Sequence, residues 1–174
     1  GAGTGYLCLR MAERLSEGKV FAVYVEEEMI DILTEIGAEK GVENVVPVLG
    51  SETEVGLPVE SVDVAVMMDA YHEFAYPYEV MESLTHALKP DGRVVLVEYR
   101  GENPFVAIKP HHKMRQSQVK REMQAVGLVW QETKDFLPQQ HFMVFRCAPM
   151  VCGAGDKMEA EDSIPLEIED SVES

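Results

Sequence analysis

Apolar residues along this chain alternate between short continuous runs and segments of helical spacing. The continuous runs are rich in β-branched residues and occur at residues 20–25, 45–49, 62–68 and 93–99. Between them, apolar side chains recur three or four residues apart, which is the spacing of one helix face. Near-continuous apolar strands separated by helices are typical of a parallel sheet covered on both faces. The pattern therefore predicts an α/β fold.

Glycines and prolines predict where several of these elements end. The first helical segment, residues 6–15, ends near Gly18, and the segment that contains Met29 and Ile30 ends at Gly37. A third helix, residues 80–88, is closed by the turn sequence Lys-Pro-Asp-Gly at 89–92. Proline cannot donate a ladder hydrogen bond, so a proline within the run 45–49 indicates an edge strand.

The last part of the pattern differs from the first. Residues 117–126 have helical spacing and Gly127 follows as a stop signal. Two strand-like runs come next, at 128–136 and 141–146, and only four residues separate them. A parallel pair needs a crossover of a dozen or more residues, so these strands are predicted to be antiparallel. The expected architecture is a mostly parallel sheet, with helices on both faces, that ends in an antiparallel hairpin.

Charge and composition narrow the classes of partner. The chain has 174 residues and a formal net charge of -16, which argues against nucleic-acid binding because phosphate contacts need clustered Lys and Arg. No apolar run approaches the ~20 residues of a membrane span, and the expected location is the cytoplasm. Residues 148–174 are strongly acidic, with few apolar side chains, and are predicted to be a disordered tail that offers the place for any protein contact.

The chain opens on the glycine-rich sequence Gly1-Ala2-Gly3-Thr4-Gly5. Alternating glycines allow a sharp turn and close approach of the backbone to a ligand, and the helix that follows would direct its first amides back at the loop. A dinucleotide fingerprint would need a third glycine at Tyr6 or Cys8, and neither position has one, so NAD is disfavoured. A plain turn without a ligand is the alternative for this segment.

Polar groups are crowded directly after the apolar run 62–68. Asp69, Tyr71, His72 and Glu73 follow it, and ligands of open α/β sheets bind outside the carboxyl ends of the strands. The alternative is structural, with His72 as a hydrogen-bonded loop residue and Glu73 as the start of a helix. The three cysteines show no metal-ligand spacing, and no metal site is predicted.

Taken together, these motifs resemble class I S-adenosylmethionine-dependent methyltransferases of bacterial type. The resemblance is carried by GAGTG at 1–5, VDVAVMMDAYHEF at 62–74, ALKPDGRVVLVEYR at 87–100 and the closing hairpin, in their usual order. It implies a Rossmann-like methyltransferase domain over residues 1–147, S-adenosylmethionine as cofactor, and methyl transfer to a small molecule.

The resemblance also implies which residues contact the cofactor. Gly1, Gly3 and Gly5 would lie against its methionine and ribose parts, and residues 69–71 beside it. These cofactor candidates after the third strand are Asp69, Ala70 and Tyr71, with the Tyr71 ring lining the pocket.

Two further cofactor candidates are acidic. In the family an acid at the end of the second strand binds the ribose hydroxyls, whereas the aligned residue here is Tyr24, with Glu26 two residues on as a substitute if the strand continues. A charged first helical turn is the alternative for Glu26. Glu54 is placed near the adenine amino group by the resemblance, and a solvent-facing loop charge is its alternative.

The same resemblance assigns the remaining site residues. His72 and Glu73 are the candidate general bases, since both follow the third strand beside the expected methyl position. The predicted substrate-facing residues are Arg100, His111, His112 and Lys113.

One feature departs from the family pattern. A buried strand normally precedes the glycine loop, and no residue stands before Gly1, so the first strand is expected to be missing from this chain, leaving its two neighbours in the sheet with unpaired edges. Two interpretations stay open: a fragment of an active methyltransferase, or a decayed relative that keeps the scaffold, binds no cofactor and acts as an interaction protein.

Overall fold

The predicted alternation of strands and helices is present in the computed structural model, which describes residues 5–148. The helices of this part of the chain are α1 (Tyr6–Ala12), α2 (Glu27–Lys40), α3 (Pro77–Ala87) and α4 (Gln116–Ala125). Its strands are β1 (Val20–Tyr24), β2 (Val45–Leu49), β3 (Val62–Met68), β4 (Leu88–Arg100), β5 (Lys113–Met114), β6 (Leu128–Lys134) and β7 (Gln140–Cys147). Two 3₁₀ turns, Tyr71–Glu73 and Pro110–His112, complete the described elements.

The strands form a mixed sheet in two parts. In the larger part the order is β3-β4-β7-β6, with the short β5 paired to the end of β4. β4 runs parallel to β3 and β5 and antiparallel to β7, and β6 and β7 form the antiparallel hairpin. The other part is the parallel pair β1 and β2. A parallel α/β sheet that ends in an antiparallel hairpin is the fold predicted from the sequence, and it is confirmed.

Several strands of the described part of the chain have one strand partner each. Among them, β1 pairs with β2 alone and β3 pairs with β4 alone. The sequence predicted open edges on the two neighbours of a missing first strand without saying which strands these are. β2 likewise pairs with one strand, so Pro47 lies in an edge strand, as predicted.

The main core lies between helices α3 and α4 and the strands β4 and β7. Val94 and Leu96 of β4 belong to this core, and the alternate residues Val95 and Val97 are buried as well. Successive side chains of a strand point to opposite faces. Both faces of β4 are therefore covered, as expected for a central strand.

β3 is less buried than its apolar sequence predicts. Val64 and Met68 are more than two-fifths exposed, and Asp63 pairs with Lys89 at 2.8 Å on the surface. Among residues 5–148 the strand pairs with β4 alone, and part of its apolar surface is exposed to solvent. In this part of the chain β3 is therefore covered less completely than the sequence predicts.

Two predicted stop signals act differently in the structure. Helix α2 continues past Gly37 to Lys40 and ends at Gly41, whose φ of 65° is the left-handed conformation of a helix cap. Gly37 lies one turn after Leu33 on the buried face, where it packs. The predicted turn at 89–92 is an irregularity within β4, because Leu88 pairs with Val62 and the regular register resumes at 93.

None of the helices within residues 5–148 is long and apolar enough to cross a membrane.

Candidate functional site

The candidate site begins where β3 ends. Asp69 has φ of 50°, an uncommon left-handed conformation for a residue other than glycine, and its amide donates to the Val97 carbonyl at 2.8 Å. One carboxylate oxygen, Oδ2, accepts a hydrogen bond of 2.6 Å from the Gln140 side chain. The other, Oδ1, is buried and has no hydrogen-bond partner among residues 5–148. A strained residue with an unsatisfied buried oxygen is a candidate ligand-binding group.

A buried carboxylate holds the next residues in place. Glu98, near the end of β4, is 1% exposed. Its Oε1 accepts from the Tyr71 amide at 2.9 Å, and its Oε2 lies 2.6 Å from Nδ1 of His72. Burial raises the pKa of the Glu98 carboxyl, and the bonds from His72 and Tyr71 oppose this shift. Glu98 therefore fixes the 3₁₀ turn and orients the His72 ring.

The opposite nitrogen of His72 is directed at a second histidine. Nε2 of His72 lies 2.9 Å from Nδ1 of His112, and 4.0 Å from a carboxylate oxygen of Glu73. With Nδ1–H of His72 donating to the Glu98 carboxylate, Nε2 carries the lone pair and His112 donates to it. Desolvation lowers the pKa of His112, and the neighbouring His111 and His72 lower it further. The two rings are thus linked by one N–H···N hydrogen bond.

Ala70 and Tyr71 lie in the interior beside these groups. Both are buried, and the Tyr71 ring packs in the main core, edge to face with Phe74 at 5.6 Å. Burial raises the pKa of the Tyr71 phenol, with the Glu122 carboxylate as the second cause. Because the ring is buried in the core, a cofactor contact at this position would come from the backbone rather than from the predicted ring.

The four predicted substrate residues are separated by their contacts. His112 alone of the four bonds to His72. The exposed His111 ring contacts the His112 ring, with centroids 4.1 Å apart and the planes tilted by 49°. Lys113 donates to the Val106 carbonyl. The Arg100 guanidinium donates to Asp135 at 2.7 Å and to the Leu137 carbonyl at 3.2 Å, so it holds the connection between β6 and β7.

Of the glycine loop, Gly5 is within the described residues, and Gly1 and Gly3 lie outside them. Gly5 precedes α1 with φ of 80°, and its carbonyl accepts from the Leu9 amide at 2.9 Å. A Cβ built on Gly5 would overlap Cδ1 of Leu33 in α2. The position therefore requires glycine both for its backbone conformation and for helix packing.

The acidic cofactor candidates near β1 and β2 are exposed. β1 ends at Tyr24, and Glu26 is the extended residue before α2. The strand does not continue to Glu26, as its role as a ribose-binding substitute required, and Glu27 and Glu28 form the acidic first turn of α2. Glu54 closes a tight loop in which the Ser51 amide donates to the Glu54 carbonyl at 2.8 Å.

The Tyr24 phenol gives a test of the β1 environment. Burial raises the pKa of Tyr24 to about 12, with the neighbouring Cys8 as the second cause. An unfolded chain releases this proton near pH ~10, so the Tyr24 contribution to stability is complete below that pH and is lost as the pH rises toward ~12. The free energy of unfolding, measured with urea at several pH values in this range, is expected to fall more steeply with pH for the wild type than for Tyr24→Phe. Equal pH dependence in the two proteins would contradict the raised pKa.

Two residues of this site were missed from the sequence. Glu98 stands within the apolar run Val-Val-Leu-Val-Glu-Tyr, and a lone acid near the carboxyl end of such a strand was the signal that could have identified it. Gln140, the partner of Asp69, gives no comparable signal, because a glutamine in a short loop is ordinary.

A family model described as a methyltransferase domain matches residues 1–158 of the chain. The protein named "Uncharacterized methyltransferase YcgJ" of Bacillus subtilis (strain 168) is 31% identical over 107 residues, which are 61% of this chain and 42% of that protein. The chain thus matches less than half the length of this relative.

Solved structures share the fold at lower identity. A SAM-dependent methyltransferase from Aquifex aeolicus has a TM-score of 0.78 at 22% identity, with 85% of this chain and 79% of that chain covered. The [4+2]-cyclase SpnF has a TM-score of 0.70 at 14% identity, with 84% and 72% covered. These likenesses support the Rossmann-like fold, and the family match extends over most of the sequence. The chain belongs to the methyltransferase domain family.

Proposed function

We propose that this protein transfers a methyl group from S-adenosylmethionine to a small-molecule acceptor by in-line displacement. The observation that supports this proposal best is the arrangement after β3. There, Asp69 has a buried oxygen without a partner in the described part of the chain, and His72 is oriented by the buried Glu98. Both lie at the carboxyl end of a parallel strand, where α/β sheets bind their ligands.

The described residues fit such a cofactor at two places. The Asp69 carboxylate has an unused acceptor for a ribose hydroxyl or an amino group. Gly5 allows close approach of the backbone before α1, because it has no side chain and adopts a left-handed conformation. When bound, the cofactor supplies an activated methyl group on a sulfonium, so the protein mainly has to hold donor and acceptor in line, which contributes up to ~7–11 kcal/mol.

His72 and Glu73 are the groups that we assign to activation of the acceptor. The His72 side chain is 6% exposed and its Nε2 lone pair faces away from Glu98, whereas the Glu73 side chain is 64% exposed. An acceptor hydroxyl, thiol or amine that takes the place of His112 at Nε2 of His72 would find one oriented nitrogen and one solvent-accessible carboxylate. Glu98 stabilises positive charge on the His72 ring, in the manner of a carboxylate behind a catalytic histidine.

Binding of S-adenosylhomocysteine, measured by calorimetric titration, tests the cofactor part of this proposal. We expect micromolar affinity, about -8 kcal/mol. Replacing Asp69 with Asn keeps a residue that tolerates the left-handed backbone and removes one charge, and is expected to weaken binding about tenfold, the effect of losing one charge-assisted bond. Asp63→Asn, at the exposed amino end of β3, is the matched control and should leave affinity unchanged.

Activity is then tested with radiolabelled S-adenosylmethionine and a panel of small thiols, phenols and amines. Label transferred by the wild type and reduced in His72→Ala is the expected result. A folded wild type that binds no S-adenosylhomocysteine would overturn the proposal.

A binding or interaction protein on the same scaffold is the second candidate. It is favoured by one observation, that Tyr24 ends β1 and Glu26 lies outside the strand, so no acid stands at the end of β1 for the ribose. Failure to bind S-adenosylhomocysteine by a folded chain would favour this candidate.

A further inference from the structure

We propose that His72, Glu73 and His112 form a binding site for a divalent transition-metal ion of the zinc class. The ligand atoms of these three side chains all lie within 4.8 Å of one another. No metal site was predicted from the spacing of the cysteines, and the three donors of this site come from segments about forty residues apart in sequence. The site overlaps the activating groups of the proposed function, but the binding of metal does not depend on that function.

The two histidines already face each other with nitrogen atoms. Nε2 of His72 and Nδ1 of His112 are 2.9 Å apart. Two nitrogens bound to one tetrahedral zinc at 2.0–2.1 Å would be about 3.3 Å apart. A shift of a few tenths of an ångström therefore replaces the shared hydrogen by a metal ion. The Oε1 atom of Glu73 lies 4.0 Å from Nε2 of His72 and has to move closer to bind the same ion. The Glu73 side chain is exposed and has room for this movement.

Glu98 supplies the second shell that a metal-binding histidine requires. Its carboxylate lies 2.6 Å from Nδ1 of His72 and is buried. A histidine that binds a metal through one nitrogen usually donates its other N–H to a carboxylate or carbonyl, which fixes the tautomer and the ring orientation. Here that bond is already present, and the Nε2 lone pair of His72, which now accepts from His112, points to the place where a metal ion would bind.

Both ligand segments are fixed to the sheet. The turn that carries His72 is held by the Tyr71 amide bond to Glu98 of β4. His112 is followed directly by β5, which pairs with residues 99 and 100 at the end of the same strand. One strand thus positions both sides of the site. Such preorganisation limits the conformational cost of binding an ion.

The ligand set indicates the class of metal. Two imidazoles and one carboxylate are the protein ligands of several catalytic zinc sites, which keep a fourth position open for water or substrate. Imidazole disfavours magnesium and calcium, which prefer oxygen ligands. Two carboxylates, Glu73 as ligand and Glu98 behind His72, balance the charge of a divalent ion.

Binding requires only a change of tautomer. His112 donates Nδ1–H to His72 in the present arrangement, and that proton moves to Nε2 of His112 through solvent when the metal takes Nδ1, so no net proton is released. If the proposed methyl transfer holds, the open fourth position would receive the acceptor. A metal-bound hydroxyl or thiol loses its proton more readily, which is the role of such ions in catalysis.

Metal titration of the full chain tests the site without cofactor or acceptor. The protein is treated with EDTA and dialysed, then titrated calorimetrically with Zn²⁺ and, by visible absorption, with Co²⁺. We expect one equivalent to bind, with the d–d absorption of four-coordinate cobalt. Loss of a residue behind a metal ligand weakens binding roughly 10–100-fold. His112 is proposed to bind the metal directly, so His112→Ala should weaken binding by more than that. His111→Ala is the matched control, since it removes an adjacent exposed histidine, and it should retain wild-type affinity.

The outcomes separate the site from its alternatives. Absence of saturable binding, or equal loss in the His111 and His112 variants, would overturn the proposal. A sulfur-to-cobalt charge-transfer band would also overturn it, because it would assign the metal to cysteine. Circular dichroism of each variant checks that it is folded. In the activity assay, loss of methyl transfer on chelation and recovery with Zn²⁺ would support the activating role, whereas chelator-insensitive transfer would contradict that role and leave the proposed function standing.

Discussion

Replacing Glu98 with Gln is expected to lower the rate of methyl transfer about 100-fold, at the upper end of what loss of a second-shell partner costs. The side-chain oxygen of Gln can still accept from the Tyr71 amide, but its NH₂ group would face Nδ1 of His72. Nδ1 would then have to accept, which places the ring proton on Nε2. The His72 lone pair that faces the acceptor side would be lost, for proton transfer and for metal binding alike.

Several measurements separate this effect from simple loss of structure. The ¹⁵N shifts of the His72 ring should report the change of tautomer directly. Affinity for S-adenosylhomocysteine should stay within about twofold, as expected for a change outside the cofactor contacts. In a His72→Ala background, Glu98→Gln should have no further effect on rate, because the two residues act as one unit. An unchanged rate in the single variant, or a full additional loss in the double variant, would refute the assignment.

Replacing Gly5 with Ala is expected to lower the free energy of unfolding by about 2–5 kcal/mol. Two costs add: a left-handed backbone at an L-residue costs ~1–2 kcal/mol, and forcing a methyl group into a packed contact costs ~1–3 kcal/mol. The contact is with Cδ1 of Leu33, which is 2% exposed and belongs to a second apolar cluster formed by α1, α2 and β1. Urea unfolding followed by circular dichroism measures the loss.

The chain offers a matched control for the steric part. Gly18 also has positive φ, at 93°, but a Cβ there would meet nothing within 4 Å, so Gly18→Ala should cost only the backbone term of ~1–2 kcal/mol. Leu33→Ala would remove the atom that the new methyl overlaps, and the double variant with Gly5→Ala should be more stable than the sum of the single changes by at least ~0.5 kcal/mol. Equal losses for the two glycine variants would show that packing against α2 does not require Gly5.

The fold was predictable because its signals are local. The hairpin of β6 and β7 follows from two strand-like runs with too few residues between them for a crossover, and the pairing is found as predicted. Gly127 ends the region of α4 with φ of 78°, again as the sequence indicated. Gly37 was misinterpreted as a stop because a glycine inside a helix and a glycine at its end look alike in sequence. In the structure Gly37 is a buried residue within α2, and Gly41 has the left-handed conformation that ends the helix.

The candidate site was predictable only in part. The position of residues 69–73 after an apolar strand indicated a ligand-binding edge, because carboxyl ends of parallel strands are where such folds bind ligands. The sequence could not show that Arg100 forms an ion pair with Asp135, or that His112 forms a hydrogen bond with His72. The reason is that the partners in each pair come from separate segments of the chain.

By itself, the sequence determined the α/β class, the closing hairpin and the family, because hydrophobic periodicity, loop length and motif order can be read from the order of residues alone. The tertiary structure alone decided that Glu98 is buried behind His72, that Asp69 keeps an unsatisfied oxygen, and that His112 completes a cluster with His72 and Glu73. The physical reason is that hydrogen bonds and metal ligation depend on distances of about 2–3 Å, and only chain folding brings residues far apart in sequence within that range.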